Sequence, residues 1–504
     1  MEAGLYSGIR EGTQDCYLQG RANGLMSQHQ QISEVNTFIF TIKTTANRTF
    51  VLPLVSNGTY NFWVDWGDGR KDNVTGYGQT YTGETVVRTH TYPTALKNYT
   101  IKITGTCKGW SFNTLATQAV KLISIKRWGC LELIDDPIGN QFAGCTNLNL
   151  SNVVDTLNLG NATYLRLFFL NNTILQVNLI NNWNISNITN IQFMFQNAAV
   201  FNSPLHSWDT SNVTVMDGLF YGCTLFDQSL NSWNVSKVTS MSNMFNLANA
   251  FDEDLSEWNV SNVTNMFSMF SNCSKFNNSL QAWASKVGKV TNMSNMFNSS
   301  FLYNQPMVNW RTSKVTTMAN MFSGATAFDQ NIGSWNLSAC INLTNFMVDK
   351  TPSTFSATNL SAIYEGWVNN PLNDSLSISF GSARYLNTTD SIECRNLMSR
   401  PGITGASSVL ISSISVIYTG VIKVTTAAPH GLPIDSSTGT KRIYIANAVT
   451  TNDSTYLNRL WTVTVYSATE LILNTSNYSL AGALLSAGDV VISYGWTIVD
   501  GGTE

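Results

Sequence analysis

From position 233 the chain reads W-N-V-S-K-V-T-S-M-S-N-M-F-N-L-A-N-A-F-D-E-D-L-S-E, and at 258 it starts again with W-N-V-S-N-V-T-N-M-F-S-M-F. Trp183, Trp208, Trp233, Trp258, Trp283, Trp310 and Trp335 are separated by 25, 25, 25, 25, 27 and 25 residues. Their neighbours recur in the same phase, which marks an internal repeat. A lone unit of this size cannot bury a tryptophan, two methionines and two phenylalanines, so neighbours must stack into one continuous core. At a strand spacing of about 4.8 Å, seven units would extend roughly 30 Å.

Within a unit, Met244, Phe245, Ala248 and Phe251 follow a helical spacing of three and four, whereas Val238 and Thr239 favour an extended backbone. Each unit is therefore expected to be a short strand, a turn and a short helix or 3₁₀ segment, and the array a leucine-rich-repeat-like α/β solenoid. The two surplus residues after Trp283 fall in the Gly288-containing stretch 284–289, a turn insertion that stacked repeats tolerate. Upstream, Phe142-Ala143-Gly144-Cys145 and Leu165-Arg166-Leu167-Phe168-Phe169 look like degenerate units. The array is thus placed at 119–350, with regular units over 183–347.

Cys145, Cys223 and Cys273 sit three residues after a phenylalanine, in the slot that Ala198, Ala248, Ser300 and Ala325 fill elsewhere. They are expected to be small core fillers, and the Met-Phe pairs core packing. Sequons at Asn212, Asn234, Asn262 and Asn336 arise from the repeated phrase itself and fit polar ladders better than glycosylation. Asp252, Glu253, Asp254 and Glu257 leave a glycosidase-like carboxylate pair conceivable. Asp227, Asn277 and Asp329 occupy the equivalent loop in other units, so a solvated rim is the expected role.

The phrase W-N-x-S-x-V-T-x-M-x-x-M-F-x-x-A-x-x-F-[DN]-x-x-L resembles the units of BspA-like leucine-rich-repeat surface proteins, closely over 183–347 and more weakly upstream. The resemblance implies attachment or surface display, as on bacterial and protist surfaces and in viral and phage proteins, with no shared catalytic residue.

Residues 38–112 alternate apolar and polar side chains between Gly and Asn turns, as a β-sandwich does. Trp66-Gly67-Asp68-Gly69 and His90-Thr91-Tyr92 resemble the signatures of PKD-like domains, placed here at 36–115. Asp65, Asp68 and His90 are expected to be structural. A calcium site on Asp65 and Asp68 is the minority alternative, because calcium takes about six to eight oxygens. Residues 1–35 are expected to be an arm that docks on a partner subunit or a flexible terminus. Residues 351–400 and 494–504 resemble the segment that closes such arrays, with the final Gly495-Trp496-Thr497-Ile498-Val499 phrase displaced by an inserted all-β domain at 401–493. That insert looks like a small β-module of phage and virus structural proteins. His430, between Pro429 and Gly431, is expected to lie in a turn without a catalytic partner.

Only 12% of the residues are charged and the net charge is −3, which removes the basic footprint of nucleic-acid binding. The apolar stretch 409–422 is broken by Ser412, Ser413, Ser415, Thr419 and Gly420 and is too short for a membrane helix, so no membrane insertion is expected. Met1-Glu2-Ala3-Gly4-Leu5 lacks the basic and apolar regions of a secretory signal, which weighs against general secretion. Eight cysteines show no CxxC, and four histidines, at 29, 90, 206 and 430, are scattered. The expectation is a non-enzymatic, surface-displayed repeat protein for adhesion or host recognition, without catalytic residue, metal or cofactor. Its first setting is the virion surface, as a fibre, spike or decoration; an exported bacterial adhesin is the alternative and a carbohydrate-active enzyme the lesser one. Expected partners are a host-cell receptor, protein or glycan, or neighbouring virion proteins, with a homo-oligomer conceivable.

Overall fold

The computed structural model describes residues 35–77, 89–368 and 376–388, and between 408 and 499 the backbone of the strands only. Residues 1–34, which hold nearly all of the expected arm, and His430 lie outside the described residues. The chain divides into two compact units, one of residues 1–134 and 147–161, the other of 135–146 and 162–504.

In the first unit, β1 (Thr37–Lys43), β3 (Thr59–Asp65), β4 (Lys71–Tyr77), β6 (Asn98–Lys108) and β7 (Leu122–Arg127) form a sheet in the order β4-β3-β6-β1-β7. The strand β8 (Leu131–Glu132) joins it in parallel beside β6, and β2 (Thr49–Val51) pairs with β5 (Thr89–Thr91) as a separate ribbon. Period-two alternation puts Phe38, Phe40 and Ile42 of β1, Tyr60, Phe62 and Val64 of β3, and Tyr99, Ile101 and Ile103 of β6 in the core. Phe40 meets Phe50 of the ribbon at 6.2 Å, and Tyr92 stacks on Tyr99 at 4.2 Å. The sheet continues through β7 and β8, beyond the 36–115 span read from the sequence; a short helix α1 (Ala116–Ala119) leads into β7.

The expected α/β solenoid is overturned. Among the described residues most strands belong to antiparallel sheets outside the repeats, and α-helix is confined to isolated segments such as α1 and α2 (Ala357–Val368). A repeat has neither strand nor α-helix; it is a chain of turns holding a single parallel bridge residue, with 3₁₀ segments at Ile180–Asn182 and Gln281–Trp283 beside the tryptophan rather than in the Met-Phe segment. The cause lies in the Met-Phe segment, where Asn243 (φ 57°) and Leu247 (φ 63°) are left-handed. The same two slots are left-handed at Asn295 and Ser299, and at Asn320 and Gly324. A helix cannot propagate through such residues, which cost an L side chain about 1–2 kcal/mol each.

Instead, amides alternate in direction. Met244, Asn246 and Ala248 donate to carbonyls three residues back, while Met241, Asn243, Phe245 and Leu247 donate to Asn265, Phe267, Met269 and Ser271 of the following repeat. The bridges run Tyr164, Asn190, Val215, Ser240, Asn265, Asn292, Thr317, Asn342. Two aromatic columns accompany them. Phe195, Phe220, Phe245, Phe270, Phe297 and Phe322 stack at 5.5–5.8 Å, and Phe201, Phe226, Phe251, Phe276, Tyr303 and Phe328 at 5.8–6.1 Å.

After the array, Leu343 bridges in parallel to Ile378 of β9 (Ser377–Ser379), and β9 pairs in parallel with β18 (Thr497–Val499). The displaced terminal phrase therefore pairs with the segment before the insert. Helix α2 approaches the last repeat at Gly366, where an added Cβ would lie 2.5 Å from the Gly333 carbonyl oxygen. Within the insert, β10 (Ser408–Tyr418), β11 (Val421–Thr426), β15 (Glu470–Asn474), β14 (Leu460–Ser467), β12 (Lys441–Ala446) and β17 (Asp489–Val491) close into a barrel in that order. Strands β13 (Val449–Thr450) and β16 (Leu484–Ser486) pair separately. No helix among the described residues is long and apolar enough to cross a membrane.

Candidate functional site

The acidic rim of the array resolves into a ladder. Asn202 accepts the Asp227 amide at 2.9 Å, Asp227 the Asp252 amide at 3.2 Å, and Asp252 the Asn277 amide at 2.9 Å. Asn277 accepts from Asn304, Asn304 from Asp329 at 2.8 Å, and Asp329 from Ser356 at 3.0 Å. Aspartate and asparagine alternate in the slot because each supplies a short oxygen acceptor at the same reach. The next residue reinforces the rung by donating a side-chain amide to the preceding repeat: Gln228, Asn278, Gln305 and Gln330 all do so, and Asn359, three residues after Ser356, does the same to Asp329.

Glu253 is the exception in that second slot, since an ionised carboxylate has no proton to donate. Burial, then the charges of Asp227, Asp252 and Asp254, push its pKa above the ordinary value. Asp254 accepts from Asn231 Nδ2 at 2.7 Å and the Glu257 amide donates to Asn231 Oδ1 at 3.0 Å. Of the carboxylates that leave a glycosidase-like pair conceivable, Asp252 and Asp254 are thus engaged in holding neighbouring repeats together.

Other rungs consume the remaining polar slots. Each of Thr189, Thr214, Thr239, Thr264, Thr291 and Thr316 donates its hydroxyl to the threonine carbonyl of the repeat before it. Asn212 and Asn262 donate Nδ2 to Ser186 and Ser236 carbonyls at 2.7 Å, while Asn234 and Asn336 accept the amides of Ser236 and Ser338. Trp208, Trp233, Trp258, Trp283 and Trp335 donate Nε1 to a carbonyl 28 residues back. Cys223 and Cys273 lie buried with the thiol donating to Phe195 and Phe245 carbonyls at 3.0 and 2.7 Å. Burial pushes both thiols, and that of Cys145, well up, so they stay protonated and are poor nucleophiles.

Lys350, which sequence reading passed over, is 2% exposed at the end of the array. Its ammonium reaches the carbonyls of Ala325 and Phe328 at 2.5 and 2.7 Å and lies 5.8 Å from the Phe328 and Phe355 rings. Burial lowers its pKa to about 8, against the opposing pull of Asp329 and Asp349.

In the first unit, Asp65 accepts the Gly67 amide at 3.0 Å and Asp68 the Arg70 amide at 3.1 Å. His90 Nε2 lies 2.8 Å from Asp68 Oδ2, with both side chains buried, and its ring stacks on Trp66 at 4.6 Å. Burial pushes the Asp68 carboxyl up, but the bonds from His90 and the Arg70 amide and the His90 charge outweigh it and hold the pKa below the ordinary value. An ionised Asp68 only accepts, so Nε2 carries the proton. Asp65 and Asp68 thus shape the turn, and no cluster of three or more potential metal ligands occurs among the described residues.

A family model described as "Mycoplasma protein of unknown function, DUF285" matches residues 136–256, 203–289 and 248–360. The overlapping matches fall on the repeats, and the similarity is compatible with a BspA-like repeat surface protein. No curated protein matches the chain. No solved structure matches it.

Proposed function

We propose that the chain is a non-enzymatic repeat protein displayed on a surface for adhesion or host recognition, as a component of a virion or phage particle. The observation that carries this reading is the ladder from Asn202 to Ser356, which commits Asp227, Asp252 and Asp329 to joining repeats and leaves a regular face of exposed, mostly neutral side chains. Extended repeat faces suit large partners. The likeness to a repeat family described from Mycoplasma supports the coarse reading of a repeat surface protein. The Asp68–His90 contact beside the Trp66-Gly67-Asp68-Gly69 turn supports taking the first unit as PKD-like, and the closed six-stranded barrel supports a compact all-β module in the insert.

The partner is a host-cell receptor or a neighbouring virion protein. Binding of the purified, fluorescently labelled chain to whole host cells, with mass spectrometry of purified particles, tests the proposal. Saturable cell binding and presence in particles are expected. Absence from every particle together with no cell binding would remove the reading.

A further inference from the structure

Trp63 is 60% exposed, whereas every other tryptophan whose side chain is described is buried. Strand parity explains it: Phe62 and Val64 point into the core, and Trp63 to the outer face of the sheet. Across the rung it faces Asn73 of β4 and Thr104 of β6, both exposed. Two residues back along β3 the rung holds Asn61 and Thr75, and two residues on it holds Asp65, Lys71 and Lys102. Lys71 pairs with Asp65 at 3.4 Å.

We infer that this face is a glycan-binding platform, on which the Trp63 indole stacks against the C–H face of a neutral sugar ring. Asn61, Asn73 and Thr75 flank the indole with groups that both donate and accept, which suits a rim of hydroxyls, while the Thr104 hydroxyl is bonded to that of Thr37 at 3.2 Å. The charge balance selects among partners. An anionic polymer needs clustered cations, and here one of two lysines is already paired. A protein partner is met by a contiguous apolar or aromatic centre, and here a single indole stands among polar side chains, with Asp65, Lys71 and Lys102 confined to the next rung of the same face. A flat ring with hydrogen-bonding edges and no charge is what remains complementary. The inference rests on the proposed recognition role and names the ligand class for it.

The test is affinity electrophoresis of the full chain and of Trp63→Ala in gels carrying mannan, xylan, galactan, β-glucan or a soluble chitin, with host-cell binding measured in parallel. Retardation of the parent chain by at least one of these polysaccharides is expected, weakened about tenfold or more in the variant, about 1.4 kcal/mol. Because Trp63 is exposed, the variant should melt at the parent's temperature. No retardation in any gel, or equal retardation of both proteins, overturns the platform, as does a concentration-dependent dimer that only the variant loses. Equal cell binding by both proteins also overturns it while leaving the recognition role standing. Absent cell binding by the parent counts against that role, and the gels still judge the platform.

Discussion

The first unit and the repeat array both bury rows of aromatic side chains, but they order them in opposite ways. In the sheet, partners come from distant sequence: Phe38 sits opposite Ile103, and Phe62 opposite Gly105. In the array a partner lies either within the same repeat or one repeat away, and the same contact recurs at each step. Long-range register makes the sheet an all-or-none unit, whereas nearest-neighbour coupling makes the array a sum of interfaces.

The sharpest break of that comparison is a large-to-small change in each region. Trp258→Ala removes a fully buried indole that stacks on Trp283 at 6.3 Å, and Trp66→Ala removes the one stacked on His90. Each should cost about 3–5 kcal/mol. Calorimetry should show Trp258→Ala lowering the array transition and Trp66→Ala the sheet transition; both variants lowering one common transition would erase the distinction. Next in size, Asn243→Val puts a β-branched residue at φ 57° and should cost about 1–2 kcal/mol of array stability in a denaturant melt, with Asn243→Gly near neutral.

Smaller still, Asp252→Ala deprives the Asn277 amide of its acceptor and leaves the Asn278 side chain only the residue 252 carbonyl, and should cost about 1 kcal/mol. The smallest effect concerns pH, and the two regions should respond with opposite sign. Asp68 has a lowered pKa in the fold, so its stabilisation is present above the unfolded carboxylate value and lost as pH falls through the folded one. Glu253 has a raised pKa, so the folded array binds the extra proton and gains stability as pH falls toward the unfolded value. Glu253→Gln, which restores the amide of the other repeats, should stabilise the array by a few tenths of a kcal/mol near pH 7. Melting temperatures from pH 3.5 to 7 should show the array's gain flattened in that variant and unchanged in Asp68→Asn.

Much of this was legible. The phase of Trp233, Phe245 and Phe251 identified the buried columns, the slot of Cys223 and Cys273 identified small core fillers, and the runs at 442–445, 460–466 and 470–473 fall on strands of the insert, whereas the 409–424 run holds two strands and β17 gave no run to read. Helical spacing misled because Asn243 and Leu247 carry no period of their own; a left-handed residue leaves the apolar spacing intact while stopping the helix. The F-[DN] phrase was visible, but that its oxygen caps the next repeat depends on stacking geometry. Trp63 could have been found by counting parity from Phe62 and Val64. Lys350 gave no such signal, since its burial comes from the carbonyls left at the end of the array.

The coupling of repeats is tested most directly by hydrogen exchange of the backbone amides over residues 233–282, in the parent chain and in Trp258→Ala. The amides of Met241, Phe245, Met266 and Phe270, which reach the next repeat, should be slow in the parent and should lose protection together in the variant, with Ile101 and Ile103 of the sheet unchanged. Fast exchange of those four amides in the parent, or loss of protection in the variant limited to the immediate vicinity of residue 258, would contradict a core shared from repeat to repeat.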